Sequence, residues 1–223
     1  MIGPRHFQIK DRIRQQKPRQ NAAVFVFGAL VFPMMAGCAA IYGWNIHAPG
    51  LMSGEFARDI PPYAARVGLY IPEDQSAFIS KDKGTRMSDP QTYYVGESFV
   101  PMLVEAFQTG FEEFVLFETV PIPAMMTQYG VDYLAVVKIT GFRNRKKYRE
   151  QGLDVQTETT VFKPDLHLLA RYETTGASDA PGTFAKRGGP EVNLNHAIES
   201  NLRSVVIYLQ DLMTQVKTGA SPV

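Results

Sequence analysis

A single cysteine, Cys38, serves the whole 223-residue chain, so an intrachain disulfide is excluded in any redox compartment. Metal chemistry lacks a framework too. His47, His167 and His196 have no Cys or His neighbours at ligand spacing, and no His-Glu-x-x-His occurs, so neither a metal centre nor a cofactor is expected. Nucleophilic catalysis has no candidate: there is no Gly-x-Ser-x-Gly elbow, and Lys83-Gly84-Thr85 lacks the upstream glycine and strand of a phosphate-binding loop. Glu105, Glu112 and Glu113 read as a solvated face rather than as an acid/base pair. An enzyme is therefore not expected. Net charge is small as well, +1 for the chain. Without a basic body, nucleic acid is not an expected partner.

What the chain does have is an uneven ending. Six of its 23 Lys/Arg but one of its 22 acidic residues fall within residues 1–37, giving that segment +5 and the remainder −4. Arg5, Lys10, Arg12, Arg14, Lys17 and Arg19 are followed by an uncharged run over residues 22–35 and then by Ala36-Gly37-Cys38. Basic region, apolar region and small residues at a cleavage point are the order of a bacterial export signal. An uncleaved membrane anchor over residues 22–42 is the competing reading. Against it stand Gly28, Pro33 and Gly37, and a strongly apolar part of only about 13 residues, short for a spanning helix.

Met35-Ala36-Gly37-Cys38 resembles the lipobox of bacterial lipoproteins. The resemblance implies that residues 1–37 are a removable signal peptide and that Cys38 is the lipidation site, diacylated on sulfur. Ala39 after the cysteine, by the same resemblance, favours the periplasmic face of the outer membrane. Two or three acyl chains give stable anchoring where one does not. Removing 37 of 223 residues leaves 186, enough to bury about 70% of the unfolded surface without a disulfide.

Residues 38–64 mix Pro and Gly without periodicity and read as a lipidated tether, which puts the folded periplasmic domain at 65–223. Val67 to Ile71 predicts a first strand ended by Pro72, and residues 73–95 a long loop. Ser98 predicts a helix cap, with Pro101 in the first turn and Phe99, Met102, Leu103, Ala106, Phe107 and Phe111 forming one apolar stripe. Strands follow near residues 114–120, 131–140, 154–162 and 166–172, the last two separated by Pro164. Leu194, Ile198, Leu202, Val205, Leu209, Leu212 and Val216 predict a terminal amphipathic helix. That order predicts an α+β two-layer sandwich, with one mixed or antiparallel sheet of about five strands and two helices on one face.

Arg66-Val-Gly-Leu-Tyr-Ile as an opening strand, a helix running straight into Phe114-Val-Leu-Phe, and a closing amphipathic helix resemble small periplasmic lipoproteins of the YajG, PelC and CsgG type, with a TolB N-terminal-like domain. This resemblance implies a non-catalytic structural or assembly subunit of an envelope machine, a ring-forming homo-oligomer with other envelope proteins as partners. The alternative is an accessory lipoprotein of lipid or lipopolysaccharide transport that binds a hydrophobic ligand. Two surface features stand out. Arg143, Arg145, Lys146, Lys147 and Arg149 crowd a predicted hairpin tip, either a solvated face or a contact for something anionic. Tyr93, Tyr94, Met125 and Met126 lie in or beside loops, as an interface or as a cap on the core.

Overall fold

A computed structural model describes residues 43–84, 89–147, 150–178 and 189–219, without the side chains of Lys147 and Glu150. The expected signal peptide, Cys38 and Arg149 lie outside the described residues. Chain order is β1 (Trp44–Ile46), α1 (Gly54–Asp59), β2 (Tyr63–Tyr70), a 3-10 turn (Glu73–Gln75), β3 (Ser80–Asp82), β4 (Gln91–Tyr93), α2 (Val95–Gly110), β5 (Phe111–Phe117), α3 (Pro123–Tyr129), β6 (Tyr133–Lys147), β7 (Glu150–Phe162), β8 (Leu168–Ser178) and α4 (Gly189–Thr218). Among the described residues no helix is long and apolar enough to cross a membrane.

The main sheet has the order β5-β2-β6-β7-β8. Long connections through α2 and α3 make β2 parallel to both β5 and β6, while hairpin connections make β6, β7 and β8 antiparallel. Strand alternation sends Val67, Leu69, Ala135, Val137, Val155 and Val161 to one face, where they are buried. Against them pack Phe99, Met102, Leu103 and Phe107 of α2 and Leu194, Ile198, Leu202, Val205 and Leu209 of α4. Each such side chain contributes about 1.5–3 kcal/mol on full burial, so these two stripes dominate the core.

The α+β class and the placing of these two helices agree with the sequence, but sheet and helix numbers differ. A second, three-stranded sheet has the order β1-β4-β3. A short helix, α3, buries Met126 with Phe117, Val131 and Leu134, a smaller cluster on the opposite face of the main sheet.

The expected tether is corrected from Gly43 onward. β1 pairs in parallel with β4, Ile46 opposite Tyr93, and Ile46, Phe56 and Ile60 are core residues. A three-residue strand and a six-residue helix are too short to print a period on the sequence. The helix start is corrected as well. α2 begins at Val95, and Ser98 lies inside it, where its hydroxyl donates to the carbonyl of Ala48 at 3.0 Å. Pro101 is thus in the second turn, on an exposed side.

One irregularity decides which residues of the long hairpin face which way. Ile139 pairs with Thr157 and Gly141 with Gln156, leaving Thr140 as an extra, bulged residue. Before the bulge Ala135, Val137 and Ile139 face the helices. Beyond it that side is taken by Phe142, Asn144 and Lys146, and Arg143 and Arg145 turn to the other. β2 has ended by this point, and Gln75 replaces it: the Ile139 N–H donates to the buried Gln75 Oε1 at 2.6 Å.

Candidate functional site

Strand alternation divides the predicted basic tip between two faces, and the bulge at Thr140 decides which half faces the helices. Arg143 and Arg145 lie on the face away from the helices, and the Arg145 guanidinium donates to the nearly buried Asp154 at 2.9 Å. Lys146 lies on the helix side and reaches Asp82 of β3, also at 2.9 Å. Arg143 is exposed, with no ion pair among the described residues. Lys147 contributes its backbone to the last hairpin pair, opposite Glu150, and Arg149 falls outside the described residues. The cluster is therefore partly internal: Arg145 pairs across the hairpin itself, and Lys146 holds the hairpin to β3.

Tyr93 does not offer a surface, correcting the interface reading. It is fully buried, and its hydroxyl donates to Gln91 Oε1 at 2.9 Å. Asn144 Nδ2 lies 3.1 Å from the Tyr93 hydroxyl and 2.8 Å from Asp82, and Gln151 Nε2 donates to the same hydroxyl. Asn193 of α4 then donates to the Gln151 carbonyl at 3.1 Å. Burial raises the Tyr93 phenol well above its ordinary value, with the charge of Asp82 adding to the effect. At Asp82 partial burial pushes upward, but Lys146, the Gly84 N–H and Asn144 outweigh it and hold the carboxyl below its ordinary 3.8.

Met126 is likewise buried, since α3 turns it under the main sheet. Met125 is half-buried against the same small cluster. Tyr94 is half-buried and stacks on His47, ring centroids 4.1 Å apart, while His47 Nδ1 lies 2.8 Å from Glu97. His167 and His196 are exposed. Glu113 pairs with Arg66 on the neighbouring strand, and Glu105 accepts from the Met52 N–H at 3.2 Å. Among the described residues no group of three or more His, Cys, Asp or Glu could hold a metal ion.

The face of the main sheet away from α2 and α4 carries a pocket of about 420 Å³. Its floor is apolar, built by Tyr70, Leu134, Val136 and Phe162, with Val120, Pro121 and Leu166 at the sides. Leu166 holds a left-handed backbone, φ 63°, at the turn that Pro164 opens between β7 and β8. Lys138, Glu158 and Arg171 supply the polar wall, with 3.9 Å between the Arg171 guanidinium and the Glu158 carboxylate. One acid beside two cations makes no carboxylate pair for general acid and base. The combination of apolar floor and cationic wall instead suits an amphiphile with an anionic group. Sequence reading missed this pocket because its residues come from six separate segments; strand alternation was the only available signal.

No protein-family model and no curated protein matches the chain. Among solved structures, similar folds include protein XCC0632 from Xanthomonas campestris, at 10% identity and TM-score 0.45, covering 78% of this chain and 97% of that one. A PelC dodecamer from Paraburkholderia phytofirmans is 11% identical with TM-score 0.39, covering 66% and 89%. Lipoprotein GNA1162 from Neisseria meningitidis is 8% identical with TM-score 0.32, covering 69% and 99%.

Proposed function

We propose that this chain is a non-catalytic lipoprotein of the bacterial envelope, acylated at Cys38 and held at the periplasmic face of the outer membrane, where it serves as a structural or assembly subunit. The observation that carries this reading is positional. A basic segment, an apolar run and Met35-Ala36-Gly37-Cys38 follow one another, and four residues separate Cys38 from Gly43, the start of the described fold. The lone thiol thus stands at the junction between an exportable leader and a body that needs no disulfide. In this role the domain associates with neighbouring envelope proteins and with copies of itself. The sheet face away from α2 and α4 is the available docking surface, since α3 covers only one corner of it.

The test is chemical. Mass spectrometry of protein from bacterial membranes should show a chain beginning at Cys38 and carrying fatty acyl groups, and Cys38→Ser should release it from the membrane fraction. Photo-crosslinking from Glu173, exposed on the helix-free face of β8, should capture neighbouring envelope proteins or a second copy. A retained initiator Met1 with a bare Cys38 sulfur would overturn the reading.

A second reading is favoured by the 420 Å³ pocket with Lys138 and Arg171 in its wall: an accessory of lipid or lipopolysaccharide transport. Organic extraction of the purified protein should then yield a co-purified lipid, and Val136→Trp should abolish that yield by filling the floor. An empty extract removes this alternative.

A further inference from the structure

We infer that the end of the domain bearing Trp44 lies directly against an anionic phospholipid surface, with Trp44 at the level of the headgroups. The inference rests on the acylation of Cys38 proposed above. Four residues, 39–42, separate Cys38 from Gly43, so even a fully extended connection reaches only about 17 Å. Chain length alone therefore keeps the start of β1 close to whatever holds the acyl chains.

The fold fixes what else stands at that end. The Trp44 N–H donates to the Pro90 carbonyl at 2.8 Å, and Trp44 pairs with Gln91 at the first position of β4, opposite Asp82 at the last position of β3. Asp82 binds Lys146 near the closed end of the β6–β7 hairpin, and Gln91 accepts from Gln151 at 3.1 Å on the other strand of that hairpin. The start of β1, the end of β3 and the hairpin end therefore share one side of the molecule. Trp44 is 48% exposed there, an amphipathic side chain whose indole N–H donates to Asp89 at 3.3 Å. Tryptophan in such a setting suits the boundary between headgroups and acyl chains.

Charge points the same way. Among the described side chains Asp82 and Asp89 stand at this end with Lys83, Lys146 and, on the hairpin, exposed Arg143, which leaves one positive charge over. Each Lys or Arg close to an anionic membrane contributes about 1 kcal/mol, screened by salt.

Trp44 is the only tryptophan in the chain, so its emission reports this one position. The acylated protein is reconstituted into phosphatidylcholine vesicles with and without phosphatidylglycerol, each also prepared with brominated acyl chains, and a parallel sample is weighed by mass spectrometry. With phosphatidylglycerol, Trp44 emission should shift to shorter wavelength and lose most of its intensity to the brominated chains. Lys83→Glu should weaken that quenching, as should high salt. Acylated protein that floats with the vesicles but keeps unquenched Trp44 emission overturns the inference and leaves the lipoprotein reading standing. Equal quenching without phosphatidylglycerol overturns the anionic assignment. A bare Cys38 sulfur overturns the inference together with the reading it rests on.

Discussion

The ammonium of Lys146 lies 2.9 Å from a carboxylate oxygen of Asp82, so a residue that the sequence places in an exposed basic tip joins the β6–β7 hairpin to the small sheet. The fold holds the Asp82 carboxyl below its ordinary value of 3.8: burial opposes ionisation, and Lys146, Gly84 and Asn144 outweigh it. A carboxyl lowered in the folded state stabilises fully above its unfolded value, and that contribution is lost as the pH falls through the folded value. Asp82→Asn should therefore cost about 1 kcal/mol near neutral pH, and the gap from wild type should close in acid. Urea unfolding at both pH values measures it.

Arg145 and Arg143 should separate cleanly. Removing Arg145 strands the nearly buried Asp154 carboxylate, so Arg145→Ser should destabilise by about 2 kcal/mol. Arg143→Ser, on an exposed position, should stay within about 0.5 kcal/mol. A binding defect in Arg143→Ser would then report a lost anionic contact rather than a loosened hairpin. Thermal melts alongside flotation with anionic vesicles give both quantities.

Ile46 tests where the domain begins. A tether residue could be truncated freely, but Ile46 is fully buried and pairs opposite Tyr93. Ile46→Ala should cost about 2–4 kcal/mol in chemical denaturation. An unchanged midpoint would return residues 43–64 to the tether.

Gly176 permits the contact between β8 and α4. A Cβ there would fall 2.2 Å from the Asn201 amide nitrogen and 2.3 Å from the Ala197 carbonyl oxygen, both backbone atoms that cannot swing aside. Gly176→Ala should destabilise by about 1–3 kcal/mol. It should also disturb Asn201, whose side chain donates to the Val155 carbonyl at 3.1 Å and accepts from Thr157 at 2.9 Å. Unfolding midpoints, with amide exchange at residue 157, check both effects.

Strong periodicity was legible in the sequence. The stripe from Leu194 to Leu212 and the run at Val67 and Leu69 announce their burial because each recurs often enough to define a face. Tyr93 and Met126 stay open between interface and core for the opposite reason. Each sits in an element of three to seven residues, where no alternation tells inside from outside, and an aromatic or Met beside a loop suits a core as well as an interface. The pocket stayed hidden because Tyr70, Val136 and Phe162 meet only once three strands are paired. The divided basic cluster was illegible too, since nothing in the letters around Thr140 marks it as the residue without an opposite number.

That unpaired threonine works as a parity switch. With Thr140 bulged, Asn144 and Lys146 meet Asp82, and Arg143 and Arg145 turn the other way. Were Thr140 instead to take a regular place opposite Gln156, every later pair would slip by one and the two sets would be exchanged, withdrawing the amide and ammonium that hold the small sheet and pressing two guanidinium groups into their place. Removing Thr140 altogether would leave those pairs as they are, so the distal half of the hairpin owes its orientation to a surplus residue that stays out of the ladder.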